Sequence, residues 1–239
     1  MNTAVEEMQR SRRHPDGIIV TIDGPAGSGK SSTAKAVAAE LKYRHLDSGA
    51  FYRAITLAAL RAHIAPDRWR DLTVDDLEGL AVDAVPDADG YRMTIGEEPV
   101  SIHIRSREVS AHVPQMARVP AVRTWLLRHL REAGADGGLV TDGRDMGTVV
   151  FPDAELKVFL VADPIERARR RLREHGIVDP SAQQVGEEAV LLETRDQEDT
   201  TRTVAPLARA ADAVEVDTTG LEFAAQVAEI VRLARARGG

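Results

Sequence analysis

The sequence contains no cysteine, which excludes both a disulfide framework and a thiolate metal site. It also has no apolar run long enough to cross a membrane, and its first residues lack the apolar stretch of a signal peptide. We therefore expect a cytoplasmic protein without a membrane partner. With 43% hydrophobic and 29% charged residues over 239 positions, the composition is that of a globular protein that can bury a core.

Acidic residues outnumber basic ones, and lysine is nearly absent. The net charge is −7, whereas a nucleic-acid-binding protein is expected to carry a basic surface, so we expect no nucleic-acid partner. Lysine occurs only at positions 30, 35, 42 and 157, and the other basic residues are arginine. The planar guanidinium suits bidentate contacts with phosphate and carboxylate. A GC-rich genome would produce the same bias, so the position of each arginine has to decide its interpretation.

The most informative segment is a loop rich in glycine and serine that matches the pattern G-x-x-x-x-G-K-[ST]. In such a loop the backbone N–H groups surround a phosphate, and the following helix directs its positive end at the same anion. A β-branched run at 18–22 precedes the loop and a helix-forming run at 33–41 follows it, so a ligand-free turn is a poor explanation. The loop residues are Gly24, Pro25, Ala26, Gly27, Ser28, Gly29, Lys30, Ser31 and Ser32.

This loop predicts a nucleoside-triphosphate site. We expect the Lys30 side chain to reach the β- and γ-phosphates of ATP, and the Ser31 hydroxyl to hold Mg²⁺.

A second charged segment follows the candidate strand at 43–46. Asp47 or Ser48 is a good N-cap for a helix that runs to about Leu60. Arg53 lies near the start of that helix, where its guanidinium and the helix N–H groups could share an anion. Capping alone explains the segment equally well.

A third segment begins with a predicted buried strand at 138–142. This strand delivers Asp142 at its carboxyl end, where open α/β sheets bind ligands. Arg144 and Asp145 follow in a loop between glycines. Because loops at strand ends preferentially carry function, we interpret these charges as part of a site and not as solvated residues.

Between positions 66 and 104 the pattern changes to short strands separated by turns, at 81–85, 91–95 and 99–102. An antiparallel insert of this kind does not belong in a parallel core, so we predict a separate lobe. Two helices are expected next, at 105–113 and 119–131, separated by prolines at 114 and 120.

Beyond a further strand at 156–161, two helices carry many charges. The first starts at Asp163-Pro164 and has five arginines between 167 and 173. The second, over 180–203, places Arg195, Asp199 and Arg202 on one face. A solvated surface explains both patterns as well as ligand binding does. A last strand at 213–216 and a helix at 221–235 complete the chain.

Taken in order, these segments resemble the bacterial cytidylate kinases, a branch of the nucleoside monophosphate kinases. The resemblance runs from about Ile18 to the C-terminus, and its most specific part is the stretch at 142–148. The segments that carry it are Ile22-Asp23-Gly24-Pro25, the residues 46–53 and 142–152, Arg195-Asp196 with Asp199 and Arg202, and the residues 204–207.

The resemblance implies an α/β fold: a P-loop NTPase core with a parallel sheet flanked by helices, a small antiparallel insert in the lobe that binds the monophosphate, and a helical lid. The expected divisions are a loose leader at 1–17, a core at 18–47, 118–162 and 204–239, the monophosphate-binding lobe at 48–117, and the lid at 163–203.

The resemblance also implies an activity, the transfer of the γ-phosphate of ATP to CMP or dCMP. The implied monophosphate ligands are Arg53, Arg144 and Arg202, the cytosine readers Arg123 and Asp145, and the sugar ligands Arg195 and Asp199, with Ser48 also in the substrate site. Arg167 and Arg170 would contact ATP from the lid, and Asp142 would join Ser31 at Mg²⁺. Lys30, Asp142, Arg144 and Arg202 would act in catalysis. Pro114 stands where the family usually has a base-reading serine.

A nucleoside monophosphate already offers an anionic oxygen as nucleophile, so the reaction requires no general base. The sequence fits this expectation, since it shows no obvious histidine–carboxylate pair near the loop. A kinase for another small acceptor, such as UMP, uridine or shikimate, is the nearest alternative. A regulatory NTPase is a more distant one, because the guanine-reading pattern Asn-Lys-x-Asp is absent. We expect a monomer whose partners are small molecules.

Overall fold

The computed structural model of the protein describes residues 16–87 and 90–239. All but the last two residues of the predicted leader at 1–17, and Asp89 of the predicted turn at 89–90, lie outside the described residues. The strands are β1 (Ile19–Asp23), β2 (Arg44–Asp47), β3 (Val82–Asp87), β4 (Gly90–Ile95), β5 (Glu98–Pro99), β6 (Leu139–Gly143), β7 (Leu156–Val161) and β8 (Val214–Asp217). The α-helices are α1 (Lys30–Leu41), α2 (Ser48–Arg61), α3 (Val74–Gly79), α4 (Arg107–Met116), α5 (Pro120–Ala133), α6 (Pro164–Glu174), α7 (Ala182–Thr201) and α8 (Phe223–Arg235).

Five parallel strands form the central sheet, in the order β2-β6-β1-β7-β8. The register pairs Asp23 with Gly143 and Asp47 with Asp142, so the carboxyl ends of three neighbouring strands meet at one edge of the sheet. Open parallel sheets bind their ligands at this edge. The structure thus confirms the predicted α/β class and brings the three charged segments together.

Each face of the sheet carries its own apolar core, because side chains alternate along a strand. Ile19 faces a cluster that includes Phe51 and Trp125, from α2 and α5. Val20 faces the opposite cluster, to which α1 and α8 contribute. Both faces of β1 are buried, as its unbroken run of apolar and β-branched residues predicts.

The antiparallel insert is a separate three-stranded sheet, β3-β4-β5, as predicted. It packs beside the edge strand β2. A Cβ atom on Gly90 would lie only 2.3 Å from the carbonyl oxygen of His45, so this close approach requires glycine. The hydroxyl of Tyr91 fixes the contact, since it accepts a hydrogen bond from Arg44 and donates one to the carbonyl of Ala133.

Two details differ from the expectations. The third strand of the insert is only two residues long, because the chain after Pro99 turns toward a 3₁₀ turn at His103–Arg105. The prediction that Pro114 separates two helices was wrong, since α4 continues through it to Met116. Pro114 is the eighth residue of this helix, so it removes only the N–H bond to the Ser110 carbonyl near the helix end.

The predicted lid helices α6 and α7 pack on each other. Asp163 and Ser181 are their N-caps. The apolar side chains between them, which include Ala168, Leu172 and Leu192, also contact Ala26 of the phosphate loop. The exact boundaries between core, lobe and lid stay predictions. None of the helices within the described residues is long and apolar enough to span a membrane.

Candidate active site

The phosphate loop lies between β1 and the start of α1. Gly27 and Gly29 have φ angles of 72° and 85°, a left-handed backbone that favours glycine. Lys30 is the first residue of α1, and its Nζ donates to the Pro25 carbonyl at 2.6 Å and to the Ser28 Oγ at 3.3 Å. Burial and the nearby Arg144 lower the pKa of Lys30, against the opposing effect of Asp142 and other carboxylates. The lysine side chain is thus buried and folded over the loop that is predicted to hold phosphate.

Ser31 and Asp142 meet at the same end of the sheet. The Ser31 hydroxyl donates to Oδ2 of Asp142 at 2.6 Å, and the Asp142 side chain is buried. The other carboxylate oxygen, Oδ1, lies 2.9 Å from Nε2 of His45. This His45–Asp142 contact corrects the expectation that no histidine–carboxylate pair lies near the loop. It depends on the pairing of β2 with β6, which the sequence alone does not reveal.

The sequence left open whether Asp47 or Ser48 is the N-cap of α2, and the structure gives the two side chains different contacts. Asp47 is the cap of α2, because its Oδ1 accepts from the Ala50 N–H at 3.1 Å. Burial and the neighbouring Asp142 carboxylate raise the pKa of Asp47, while Arg105 opposes the shift. Ser48 is buried and donates to the backbone carbonyl of Asp142 at 2.7 Å. A contact between Ser48 and the substrate stays a prediction.

A cleft of about 1010 Å³ extends from the phosphate loop to the insert and the lid. The predicted monophosphate and sugar residues all line this cleft: Arg53, Arg144, Arg195, Asp199 and Arg202. Burial and the neighbouring guanidinium of Arg144 lower the pKa of Arg195 to about 10. Burial also lowers the pKa of Arg53 and of Arg202, and a second arginine adds to each shift. Such crowding of cations favours an anionic ligand.

Two carboxylates lie between these arginines and reduce the repulsion among their positive charges. Asp199 accepts from Nε of Arg144 at 2.8 Å and lies 3.5 Å from Nη1 of Arg202. Asp145 contacts Nη2 of Arg123 at 2.5 Å and lies 3.9 Å from Nη2 of Arg202. Burial raises the pKa of Asp145, and the three neighbouring arginines oppose the shift. Predicted phosphate, sugar and base ligands are therefore linked in one network of charges.

The predicted cytosine readers, Arg123 and Asp145, are paired where α5 meets the loop after β6. Their side chains are only 9% and 7% exposed. The Arg123 guanidinium also lies 5.9 Å from the centre of the Tyr52 ring. The pair therefore presents a donor and an acceptor next to an aromatic face, and its role in reading a base stays a prediction.

The predicted lid arginines, Arg167 and Arg170, both contact other parts of the protein. Arg167 is buried and donates to the Ala26 carbonyl at 3.0 Å, and Arg170 donates to the Thr218 hydroxyl at 2.9 Å. Arg171 lines the cleft, close enough to Arg53 and Arg195 to lower the pKa of both. Contacts of Arg167 and Arg170 with ATP stay predictions. The sequence could not single out Arg171, because the orientation of α6 depends on its packing against α7.

Asp23 was not selected from the sequence as a site residue. Its carboxylate is 4% exposed and accepts from the N–H groups of Met146 and Gly147 at 2.9 and 2.7 Å. Burial raises the pKa of Asp23 to about 6, although these two hydrogen bonds oppose the shift. Asp23 directly precedes the phosphate loop, and the loop that it holds carries Arg144 and Asp145. The available signals were its position at the end of a buried strand and its place in the segment Ile22-Asp23-Gly24-Pro25.

Comparison with known proteins gives consistent results. The family model described as cytidylate kinase matches residues 20–236. A cytidylate kinase from Salinibacter ruber is 45% identical over 229 residues, which cover 93% of this chain and 99% of that protein. A cytidylate kinase from Chloroherpeton thalassium is 43% identical over 224 residues, 91% of this chain and 93% of that protein. The matched region includes the phosphate loop, the insert and the two helices α6 and α7.

Proposed function

The chain belongs to the cytidylate kinase family, and we propose that it transfers the γ-phosphate of ATP to CMP and dCMP, which gives ADP and CDP or dCDP. The observation that supports this most directly is that one cleft joins the phosphate loop to a wall of arginines, formed by Arg53, Arg144, Arg195 and Arg202. A donor and an acceptor that are both anions need such a wall, because their mutual repulsion opposes the reaction.

On the donor side, ATP would bind with its β- and γ-phosphates in the loop at 24–32. The N-terminus of α1 directs N–H groups at the same place, and Lys30 adds a buried positive charge. The charge of Lys30 would stabilise the negative charge that develops on the oxygen between the β- and γ-phosphates.

The residues near the loop also fit Mg²⁺. The Ser31 hydroxyl and the Asp142 carboxylate are oxygen ligands of the kind that this ion prefers. The described residues contain no group of three or more His, Asp or Glu side chains that could hold a metal ion by themselves. This suits Mg²⁺, which takes most of its ligands from water and phosphate. When bound, Mg²⁺ would neutralise charge on the phosphate oxygens.

On the acceptor side, the arginines would fix the monophosphate so that one of its oxygens faces the γ-phosphate in line. Arg53 and Arg144 approach the cleft from α2 and from the loop after β6, and Arg202 closes the end of α7. Correct placement of two reactants is the main requirement of phosphoryl transfer. The monophosphate oxygen is already anionic, so the His45–Asp142 pair is not needed as a base.

The base would be selected by Arg123 and Asp145. Cytosine has an acceptor at N3 and a donor at N4, which match the guanidinium and the carboxylate, whereas uracil has the opposite pattern. The wrong base would leave buried polar groups unpaired, which costs about 1–3 kcal/mol for each group.

The proposal is tested by an assay of nucleoside diphosphate formation from ATP, with CMP, dCMP, UMP, AMP or no acceptor. We expect rapid formation of CDP and dCDP, slower turnover of UMP and little ADP without an acceptor. A higher kcat/KM for UMP than for CMP would contradict the assignment of the base. Release of ADP at the same rate without an acceptor would contradict kinase function altogether. A cytoplasmic location and a monomeric state are further parts of the proposal.

A further inference from the structure

Asp196 belongs to the segment Arg195-Asp196 of α7, which carries part of the family resemblance. None of the roles described above involves its side chain. Its neighbour Arg195 lines the cleft. The Asp196 carboxylate instead contacts the phosphate loop, where Oδ1 accepts from the N–H of Ala26 at 2.8 Å. The other oxygen, Oδ2, accepts from Nη1 of Arg167.

The contact closes a ring of three groups. Nη1 of Arg167 donates both to Asp196 and to the carbonyl of Ala26, the latter at 3.0 Å. Arg167 comes from α6 and Asp196 from α7, so each lid helix supplies one partner of the ion pair. Together the two side chains bind the backbone N–H and the carbonyl of one loop residue, Ala26. The two side chains are 7% and 16% exposed, which makes these hydrogen bonds stronger than surface contacts.

Apolar packing holds the same place. Ala26 packs against Ala168 and Leu192, from α6 and α7. A Cβ atom on the next residue, Gly27, would lie 3.2 Å from the carbonyl oxygen of Arg167, so the loop backbone fits closely against the lid. Ala26 and Gly27 cannot change their backbone geometry without moving these helices.

Helix α7 therefore contacts both substrate regions. Through Asp196 it holds the loop that would bind ATP, and through Arg195 and Asp199 it lines the cleft that would bind the nucleoside monophosphate. Asp196 also lies close enough to Lys30 to favour its charged form. A shift of this one helix would change both regions together.

We propose that Asp196 is a positioning residue that couples the two substrates: through the Asp196–Arg167–Ala26 contact, binding of the nucleoside monophosphate against α7 sets the conformation of the phosphate loop, and binding of ATP in the loop sets α7. The inference rests on the proposed function, because it takes CMP as the ligand of the cleft. Coupling of this kind is reciprocal, so each ligand must tighten the binding of the other by the same factor.

The test is calorimetric titration of CMP into the full-length protein, with and without a saturating concentration of the magnesium complex of β,γ-imido-ATP. The ratio of the two dissociation constants is the coupling factor. We expect about fivefold or more for the wild type, within the usual range for coupled sites. In Asp196→Asn we expect a ratio near one, because the amide group would turn a donor toward Arg167. Glu193→Gln is the matched control, since it removes one exposed carboxylate from the same helix and should keep the wild-type ratio.

An Asp196→Asn variant that keeps the wild-type coupling factor would overturn the proposal, as would a wild type whose two ligands bind independently. A wild type that binds the ATP analogue but not CMP would refute the proposed function, and with it the acceptor half of this inference. If Asp196→Asn does not fold, the double variant Arg167→Met/Asp196→Leu removes both charges and leaves neither unpaired. It should also show a ratio near one, and retention of coupling would again overturn the proposal.

Discussion

The phosphate loop and the arginine wall opposite it are held in place by different kinds of contact. The shape of the loop comes mainly from its backbone, with glycines at positive φ, a strand before it and a helix after it, and the Asp196–Arg167 pair holds it against the lid helices. The shape of the wall comes from side chains, because Asp145 and Asp199 each bridge arginines whose positive charges would otherwise repel one another. A site made by the backbone tolerates changes in most of its side chains, whereas a site made by linked charges transmits the loss of one group to the others.

Among the side chains of the loop itself, that of Lys30 should contribute most to the reaction, and its removal should have the largest effect. We expect Lys30→Ala to lower kcat by about 10²–10³-fold, because one electrostatic donor at the transferring group commonly contributes this much. The measurement is the rate of CDP formation at saturating ATP and CMP. Lys42→Ala removes an exposed lysine at the other end of α1 and should leave the rate unchanged. A Lys30→Ala variant with half the wild-type rate would contradict the assignment of the loop.

Asp23 links the two regions, because it directly precedes the phosphate loop and accepts hydrogen bonds from the loop that carries Arg144 and Asp145. Its ionisation should therefore change the stability of the protein. The pKa of Asp23 is about 6 in the folded protein against 3.8 for the free side chain, so the folded state binds its proton more tightly. This contribution to stability is present below pH 3.8 and is lost as the pH rises through 6. It amounts to at most about 3 kcal/mol in the free energy of unfolding.

Urea unfolding of the wild type and of Asp23→Asn between pH 4 and pH 7 isolates this contribution. The difference in the free energy of unfolding, wild type minus variant, should decrease as the pH rises, because only the wild type loses the proton of Asp23. Parallel pH profiles for the two proteins would show that Asp23 ionises as it does in the unfolded chain.

Within the arginine wall, Asp145→Asn should change the choice of base. An amide can donate to the uracil carbonyl as readily as it accepts from the cytosine amino group, so the ratio of kcat/KM for CMP to that for UMP should fall. We expect a fall of roughly tenfold or more, mostly through a loss for CMP. Because Asp145 also contacts Arg202, turnover of both substrates should decline somewhat. An equal loss for both bases would place the base reader elsewhere.

Asp199→Ala should have the smallest effect, and it distinguishes the binding of CMP from the binding of ATP most clearly. We expect the KM for CMP to rise by about tenfold, which is the loss of one hydrogen bond to a charged group, while the KM for ATP changes little. Initial rates over a grid of both substrate concentrations give the two constants. Unchanged constants for both ligands would contradict a role of Asp199 in binding the sugar and also a role in placing Arg144 and Arg202.

The same difference explains what could be predicted from the sequence. The strand, the turn at 24–32 and the following helix could be predicted, because the glycine spacing and the two flanking segments define a backbone shape. The roles of Asp23 and His45 were not, because they depend on which strands are neighbours and in what register. Arg171 was missed because the rotation of α6 follows from its packing on α7. Pro114 misled the prediction, since a proline in the last turn of a helix ends it less reliably than one in the middle.

The position of the insert beside β2 has a further consequence. A strand at the border of a sheet exposes unpaired N–H and C=O groups, onto which another chain can add a strand of its own. The close contact of Gly90 with the His45 backbone covers that border on one side of the central sheet. At the opposite border, β8 is four residues long, and its two acidic side chains are exposed. Both borders of the sheet thus carry features that disfavour strand addition, and one of them is the insert that lies beside the predicted substrate site.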